Sequence, residues 1–458
     1  MSFKDGILAK DFTEGNVVKQ ILWFAAPLFM SNFLQIVYNI VDMIVVGQMT
    51  GKVGLSAIAV GGDITHFFMF VAMGFSRAVQ IIVAQYLGAK QTHKLNRFVC
   101  SSLTFMMLLT FVISVFCYTF KEELLSLMNT PQESYNDALG YVSVSLGGLF
   151  FIYGYNLISA IMRGMGDAKH PFIFISISAI VNIVLDILFV VYLNYGAVGA
   201  AFATIISQGV SFVLSVLFLW RHRQSFYLDF NLKTFWIIDR EMLSALIKLG
   251  IPMVVKGMAI HFSKLFMNSW INSYGVAVSA MVGISHKLGV VSMLFSSSFN
   301  TAGASMIGQN IGAEKYERIP LIMKTTFYLT LATSVLLSFA VLVFPDLVFG
   351  TFTSDVDVLR VAQEYVPIAV IIFMGFAFRT PMNGLIDGSG NYKLNFIVAI
   401  LDGFIVRIGL ALVFCVYLDK GYIGLWLGDA IAGFTPFLIG GIYYLSDKWK
   451  KPSYLFVK

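Results

Sequence analysis

Twelve runs of predominantly apolar sequence, each longer than 20 residues, recur from end to end of this 458-residue chain. A run of that length crosses the roughly 30 Å hydrocarbon core of a bilayer as one α-helix. In lipid, backbone N–H and C=O groups must be satisfied within the chain, which restricts such runs to helices. They cover roughly 17–46, 53–84, 95–120, 136–162, 171–193, 197–220, 243–272, 276–306, 319–344, 360–386, 393–416 and 421–446. The fold class expected is an all-α integral membrane protein with twelve transmembrane helices. Composition agrees: only 12% of residues are charged, against about 25% in soluble domains. That excludes a soluble enzyme, a disordered chain and a nucleic-acid binder, and makes membrane lipid the surrounding partner.

What is left between the runs sets the organisation. Residues 1–16 form a polar N-terminal segment with no apolar core ending in a small-residue cleavage site, so no removable leader is expected. The longest polar stretch, 221–242, divides an N-lobe (17–220) from a C-lobe (243–446), and 447–458 is a tail. Alternate loops, with both termini and the 221–242 linker, carry 21 of the 31 Lys and Arg residues, including Lys4, Lys10, Lys90, Arg163, Lys233, Lys315, Lys451 and Lys458. The opposite loops hold Lys52, Lys121, Arg360 and Lys420. This asymmetry places both termini in the cytoplasm of a cell inner-membrane protein and requires an even number of spans. Cys100, Cys117 and Cys415 lie far apart in apolar runs and read as buried hydrophobes.

The lobes repeat. QYLGAK at 85–90 returns as QNIGAE at 309–314, and RGMGDAKHP at 163–171 returns as DGSGNYKLN at 387–395, both at a shift of 224. Pro27 returns as Pro252 at 225. Six spans per repeat leave both lobes in one orientation, related by a pseudo-two-fold axis along the membrane normal. Paired lobes of this kind suit a carrier that moves a small-molecule substrate by alternating access; a monomer suffices.

An ionisable residue inside a span costs roughly 2.5–3.5 kcal/mol on insertion scales and is a functional candidate. In the first span, Gln35, Asn39 and Asp42 follow i, i+4, i+7 and share a helix face with neighbours such as Tyr38. In the fifth, Asn182 and Asp186 are one turn apart. At 1.5 Å per residue, Asp186 lies about 22 Å from the cytoplasmic start of its span, and Asp42 about 8 Å from the outer end of its own. Those depths coincide, and Thr204 in the descending sixth span reaches the same layer. Two carboxylates in low dielectric cannot both stay ionised cheaply, so the layer suits a coupling proton. With the Asn182 and Thr204 oxygens it also suits Na⁺, a hard cation. No other cofactor or metal is expected. Pro27 removes a helix hydrogen bond and offers a hinge on the same span. Tyr153 and Asn156, with Gln35, Tyr38 and Asn39, are candidates to line a substrate cavity.

The C-lobe differs. At the repeat shift Asp42 corresponds to Met267 and Asp186 to Leu410, so the acid pair is not duplicated. Basic residues stand there instead. Lys256 and Arg379 read as span-end side chains that snorkel; Lys264 and Arg407 lie deeper and are expected to pair with acids or carbonyls, Asp402 first among them. His261 and His286 read as hydrogen-bonded interior histidines. The chain contains no HExxH and no Gly-x-x-x-x-Gly-Lys, so a membrane enzyme is not expected.

With FAAPLFMSNFLQIVYNIVDMIVVGQMTG in the first span and the QYLGAK and RGMGDAKHP loops echoed in the second half, the sequence resembles the MATE (multidrug and toxic-compound extrusion) family of the MOP flippase superfamily, in its prokaryotic form. The resemblance implies an antiporter exporting bulky, often cationic organic compounds in exchange for H⁺ or Na⁺. It assigns Asp42, Asn182, Asp186 and Thr204 to the coupling centre and Pro27 to the bend. The basic C-lobe admits a lipid-linked or anionic-substrate flippase of the same superfamily as the alternative.

Overall fold

The structure, a computed structural model, describes residues 8–229 and 239–450. Lys4, Lys233, Lys451 and Lys458 of the charge asymmetry lie outside the described residues. Helix α1 (Val17–Gly88) is 72 residues long; straight, it would measure about 108 Å, more than three times the hydrocarbon core. Gly51, at φ 62° and ψ −148°, breaks it into two spans, a conformation that glycine holds at little steric cost. α2 (Thr92–Thr119) follows, then the short α3 (Lys121–Leu127). α4 (Tyr135–Gly147) and α5 (Leu149–Gly164) make one crossing bent by 45°. α6 (Lys169–Asp186) runs into a π-helical end, Ile187–Tyr192, and α7 (Gly196–Arg221) returns.

The second half repeats this plan with α8 (Arg240–Asn272), α9 (Val276–Gly312), α10 (Ile319–Val343), α11 (Pro345–Gly350) and α12 (Val356–Gly388). Its eleventh crossing is α13 (Tyr392–Ile400), a π-turn at Leu401–Ile405, α14 (Val406–Leu412) and a second π-turn at Val413–Tyr417. α15 (Gly421–Ala432) and α16 (Thr435–Leu445) complete it. With α1 counted twice and the bent pair once, the apolar helices make the expected twelve crossings.

The backbone records the repeat more finely than the side chains do. Left-handed residues recur as Gly51 and Gly275, Lys90 and Glu314, and Gly166 and Gly390, all at a shift of 224. Asn194 and Asp419, then Gly196 and Gly421, recur at 225. The extra residue is absorbed by the Leu401–Ile405 π-turn, which has no counterpart in α6; a π-bulge inserts one residue without ending the helix. Past that turn the partner of Asp186 is therefore Ala411 rather than Leu410.

The chain forms two compact units: residues 1–11 with 26–250, and 12–25 with 251–458. A division at the linker does not anticipate this exchange of first turns. In the second unit Phe12 is buried; its N–H donates to Gln309 Oε1 (2.9 Å), and Asn310 Nδ2 and Arg318 Nη2 donate to the Phe12 and Gly15 carbonyls at 3.1 Å each. In the first unit Tyr86 donates to Met242 Sδ (3.3 Å), and Arg97 pairs with Asp239 (2.5 Å). Tyr86 and Gln309–Asn310 belong to the repeated QYLGAK and QNIGAE segments, which thus receive the first turn of α8 and the turn preceding α1. The unit boundaries fall beside Pro27 and Pro252.

Candidate functional site

Three crossings of the first unit bring the acid layer together. Asp42 comes from α1, Asn182 and Asp186 from the last turns of α6, and Thr204 from α7. Asp186 and Asn182 are fully buried and Asp42 is 9% exposed. The Thr204 hydroxyl donates to Asp42 Oδ2 at 3.5 Å, and the Asp42 and Asp186 carboxylates lie within electrostatic range of one another. Both Asp186 oxygens, Asp42 Oδ1 and both polar atoms of the Asn182 amide have no donor or acceptor among the described residues. Buried polar groups are overwhelmingly satisfied in native proteins. Two adjacent ionised carboxylates supply acceptors only, so neither can satisfy the other. Tyr38 and Tyr141 stand within electrostatic range of Asp42, and Gln208 Nε2 donates to the Tyr38 hydroxyl at 3.4 Å.

The other cavity candidates separate. Asn39 is exposed, Gln35 half-buried and Tyr38 buried. Tyr153 is corrected by the structure: it is buried, and its hydroxyl donates to the Phe68 carbonyl at 2.6 Å, so it joins helices rather than lining open space. The Asn156 amide donates to the Ile152 carbonyl of its own helix at 2.8 Å. Pro27 lies inside the unbroken first half of α1, half-buried.

In the second unit the positions matching Asn182, Asp186 and Thr204 at 225 are Arg407, Ala411 and Asp429. Arg407 is buried; its Nη2 donates to Asp402 Oδ1 (2.7 Å), its Nε to the Asp402 carbonyl (3.1 Å) and its Nη1 to the Asp429 carboxylate. Where the first unit leaves three carboxylate oxygens without a partner among the described residues, the second is closed by a built-in cation. Two glycines make this possible. A Cβ on Gly428 would fall 2.4 Å from the Ala411 nitrogen, and one on Gly424 2.5 Å from the Phe414 carbonyl carbon, so only bare backbone lets α15 approach closely enough to present Asp429. The expected Asp402–Arg407 pair forms; Asp429 escaped sequence reasoning, although the Gly196/Gly421 register sets it opposite Thr204.

The remaining C-lobe cations part from expectation. Lys256 does not snorkel but donates to Asn383 Oδ1 (2.7 Å), with Asp387 at 3.8 Å. Lys264, expected to pair with an acid or carbonyl, makes no hydrogen bond or ion pair among the described residues, although Asp429, Arg407, Arg379 and Asp402 lie within its electrostatic range. The Arg379 guanidinium sits 4.2 Å over the Phe376 ring. His286 is exposed and hydrogen-bonded to Asn268 (2.9 Å).

Twelve apolar crossings in two repeated halves, one of them holding two buried carboxylates with three oxygens unpartnered among the described residues, are the architecture of a membrane transporter. The comparisons narrow this. The MatE family profile matches residues 27–188 and again 252–413, and the chain belongs to the MatE family. A Bacillus subtilis relative, "Probable multidrug resistance protein YpnP", is 26% identical over 446 residues, covering 96% of this chain and 98% of its own. The Staphylococcus aureus "Multidrug export protein MepA" is 22% identical, with 95% and 96% covered. Among solved structures, a MOP superfamily transporter from Pyrococcus furiosus superposes with a TM-score of 0.88 at 22% identity, covering 98% of this chain and all of that one. A MATE transporter bound to MaL6 gives 0.87 at 22%, with 97% and 99% covered. The protein is thus a membrane transporter of the MatE family, and the relatives named here are bacterial.

Proposed function

We propose that this transporter is a secondary antiporter: it exports bulky, often cationic organic compounds by alternating access and takes up H⁺ or Na⁺ in exchange. The observation that carries the reading is the Asp42–Asp186 pair, buried, mutually adjacent and with three of its four oxygens unpartnered. A proton shared between the carboxylates would turn one acceptor into a donor. A Na⁺ would instead draw on Asp42, Asp186, the Asn182 amide oxygen and the Thr204 hydroxyl, an all-oxygen set suited to a hard cation. Either ion removes the repulsion between the two acids, so its arrival and loss can drive α1 between two shapes, with Pro27 as the bend. Gln35, Tyr38 and Asn39, on the same helix, would report that change to a substrate. No cofactor beyond the coupling ion is invoked. On this reading the protein works as a monomer in the inner membrane with both termini in the cytoplasm, an orientation that its Lys/Arg asymmetry supports.

The test is transport of a cationic dye in proteoliposomes under separately imposed H⁺ and Na⁺ gradients. Asp42→Asn and Asp186→Asn are expected to insert normally and to lose gradient-driven export, and the gradient that drives the wild type identifies the ion. Wild-type rates in either variant would overturn the coupling assignment.

A further inference from the structure

The second crossing carries an acid that no other element covers. Measured from the Gly51 break, Asp42 lies nine residues back and Asp63 twelve residues on, or roughly 14 Å and 18 Å at 1.5 Å per residue. Asp63 therefore stands roughly 4 Å deeper in the bilayer than the Asp42 layer. It is exposed and makes no hydrogen bond or ion pair among the described residues. A whole helix face continues from it. Ala59, Asp63, His66, Phe70, Met73 and Arg77 follow in steps of three and four, and all except the half-buried Phe70 are exposed. The neighbouring face is packed: Gly61, Ile64 and Thr65 are buried, and a Cβ on Gly61 would fall 2.5 Å from the Tyr141 ring. A Cβ on Gly62, beside Asp63, would meet nothing within 4 Å. Faces turned to acyl chains look different. Along α6 beyond its first turn, the exposed residues Ile177, Ile180 and Val184 are all apolar. Ionisable side chains inside a bilayer are costly and face protein or water rather than lipid. Three of them on one open face of the second crossing mark that face as lining water.

We infer that Asp63 is the carboxylate that receives the positive group of a cationic cargo on this wetted face. Arg77, fourteen residues further along, is roughly 21 Å away. That is well beyond the ~8 Å screening length of physiological salt, so Arg77 leaves the Asp63 charge to a ligand. Phe70 and Met73, on the same face, offer an aromatic ring and a soft thioether to the apolar body of an organic cation. Cargo recognition and ion coupling thus fall to different acids of one helix pair. The inference rests on the export reading only for the statement that the bound cation is cargo.

The test has two parts, neither of which needs a gradient, so its outcome stands apart from the coupling assignment. In proteoliposomes, Ala59→Cys and Met73→Cys, which flank Asp63, should be labelled by a trimethylammonium methanethiosulfonate reagent, and Ile180→Cys should not. The chain's own Cys100, Cys117 and Cys415 are buried and leave the background low. In detergent, the purified full chain is expected to bind tetraphenylphosphonium, and Asp63→Asn should weaken that binding about fivefold, the upper end for an ion pair open to water. Asp63→Glu should restore it. Binding of uncharged triphenylphosphine oxide should match the wild type in both variants, which also shows that they are folded. Absence of labelling at both flanking positions, or a loss of tetraphenylphosphonium affinity below about twofold in Asp63→Asn, would overturn the inference. An equal loss for both probes would overturn it as well, since the effect would not be one of charge.

Discussion

Removing the cation that closes the second unit should be among the most damaging single changes in the molecule. Arg407→Met keeps most of the side-chain volume but leaves Asp402 fully buried, and Asp429 half-buried, without the guanidinium that holds both. Breaking a buried ion pair from one side costs about 3–5 kcal/mol, because the remaining charge is left uncompensated. Four donations are lost at once, to two carboxylates and two carbonyls, which puts the expected loss at the upper end. For a folding unit of 150–250 residues, each kcal/mol is worth about 2–4 °C in Tm, so the midpoint should fall by roughly 10–20 °C. The assay is heating of the detergent-purified protein followed by size-exclusion chromatography of what stays monodisperse. The triple variant Arg407→Met, Asp402→Asn, Asp429→Asn removes the stranded charges and should recover most of the loss. A midpoint within 2 °C of wild type for Arg407→Met, or a triple variant no better than the single one, would refute the reasoning.

Other outcomes follow from single contacts. Gly428→Ala places a methyl group against the Ala411 backbone, which cannot step aside, and should cost about 1–3 kcal/mol in the same heating assay; Gly441→Ala, with open space around it, should not. Tyr153→Phe removes one buried hydrogen bond to Phe68 and should cost about 1 kcal/mol with no change in the range of dyes exported. An altered range would return Tyr153 to the cavity. The double variant Asn310→Ala, Arg318→Ala removes donors to the Phe12 and Gly15 carbonyls and should raise amide hydrogen exchange across residues 12–15.

The crossings were readable because lipid leaves the chain so few alternatives: apolar length alone locates them, and one left-handed glycine at 51 separates the two that α1 contains. The grouping of Asp42, Asp186 and Thr204 was also within reach, since helix rise converts residue number into depth. What stayed hidden depended on register or on contacts distant in sequence. One inserted residue in the eleventh crossing moves the counterpart of Asp186 from Leu410 to Ala411, and a π-turn has no composition by which to recognise it. Asp429 sits between glycines that look like ordinary small residues until α15 is seen against the Ala411 backbone. Tyr153 has the polar spacing of a cavity residue, but its hydroxyl is taken by a carbonyl 85 positions away. Lys264 was expected to find an acid; the nearby acids had already gone to Arg407, a competition that no spacing rule records.

The exchanged first turns bear on how the protein is made. Phe12 is among the earliest residues to leave the ribosome, yet the side chain that receives its N–H is 297 positions further on. At about 5–20 residues per second, synthesis takes roughly 15–60 s to reach it. Throughout that interval the start of α1 has no finished place to dock, while residues 26–88 of the same helix already have neighbours emerging beside them. The second unit therefore closes only when the two ends of its chain, made far apart in time, are joined. A transporter cut at the 221–242 linker should accordingly assemble when both pieces are made together in one membrane, and neither piece should complete its fold alone.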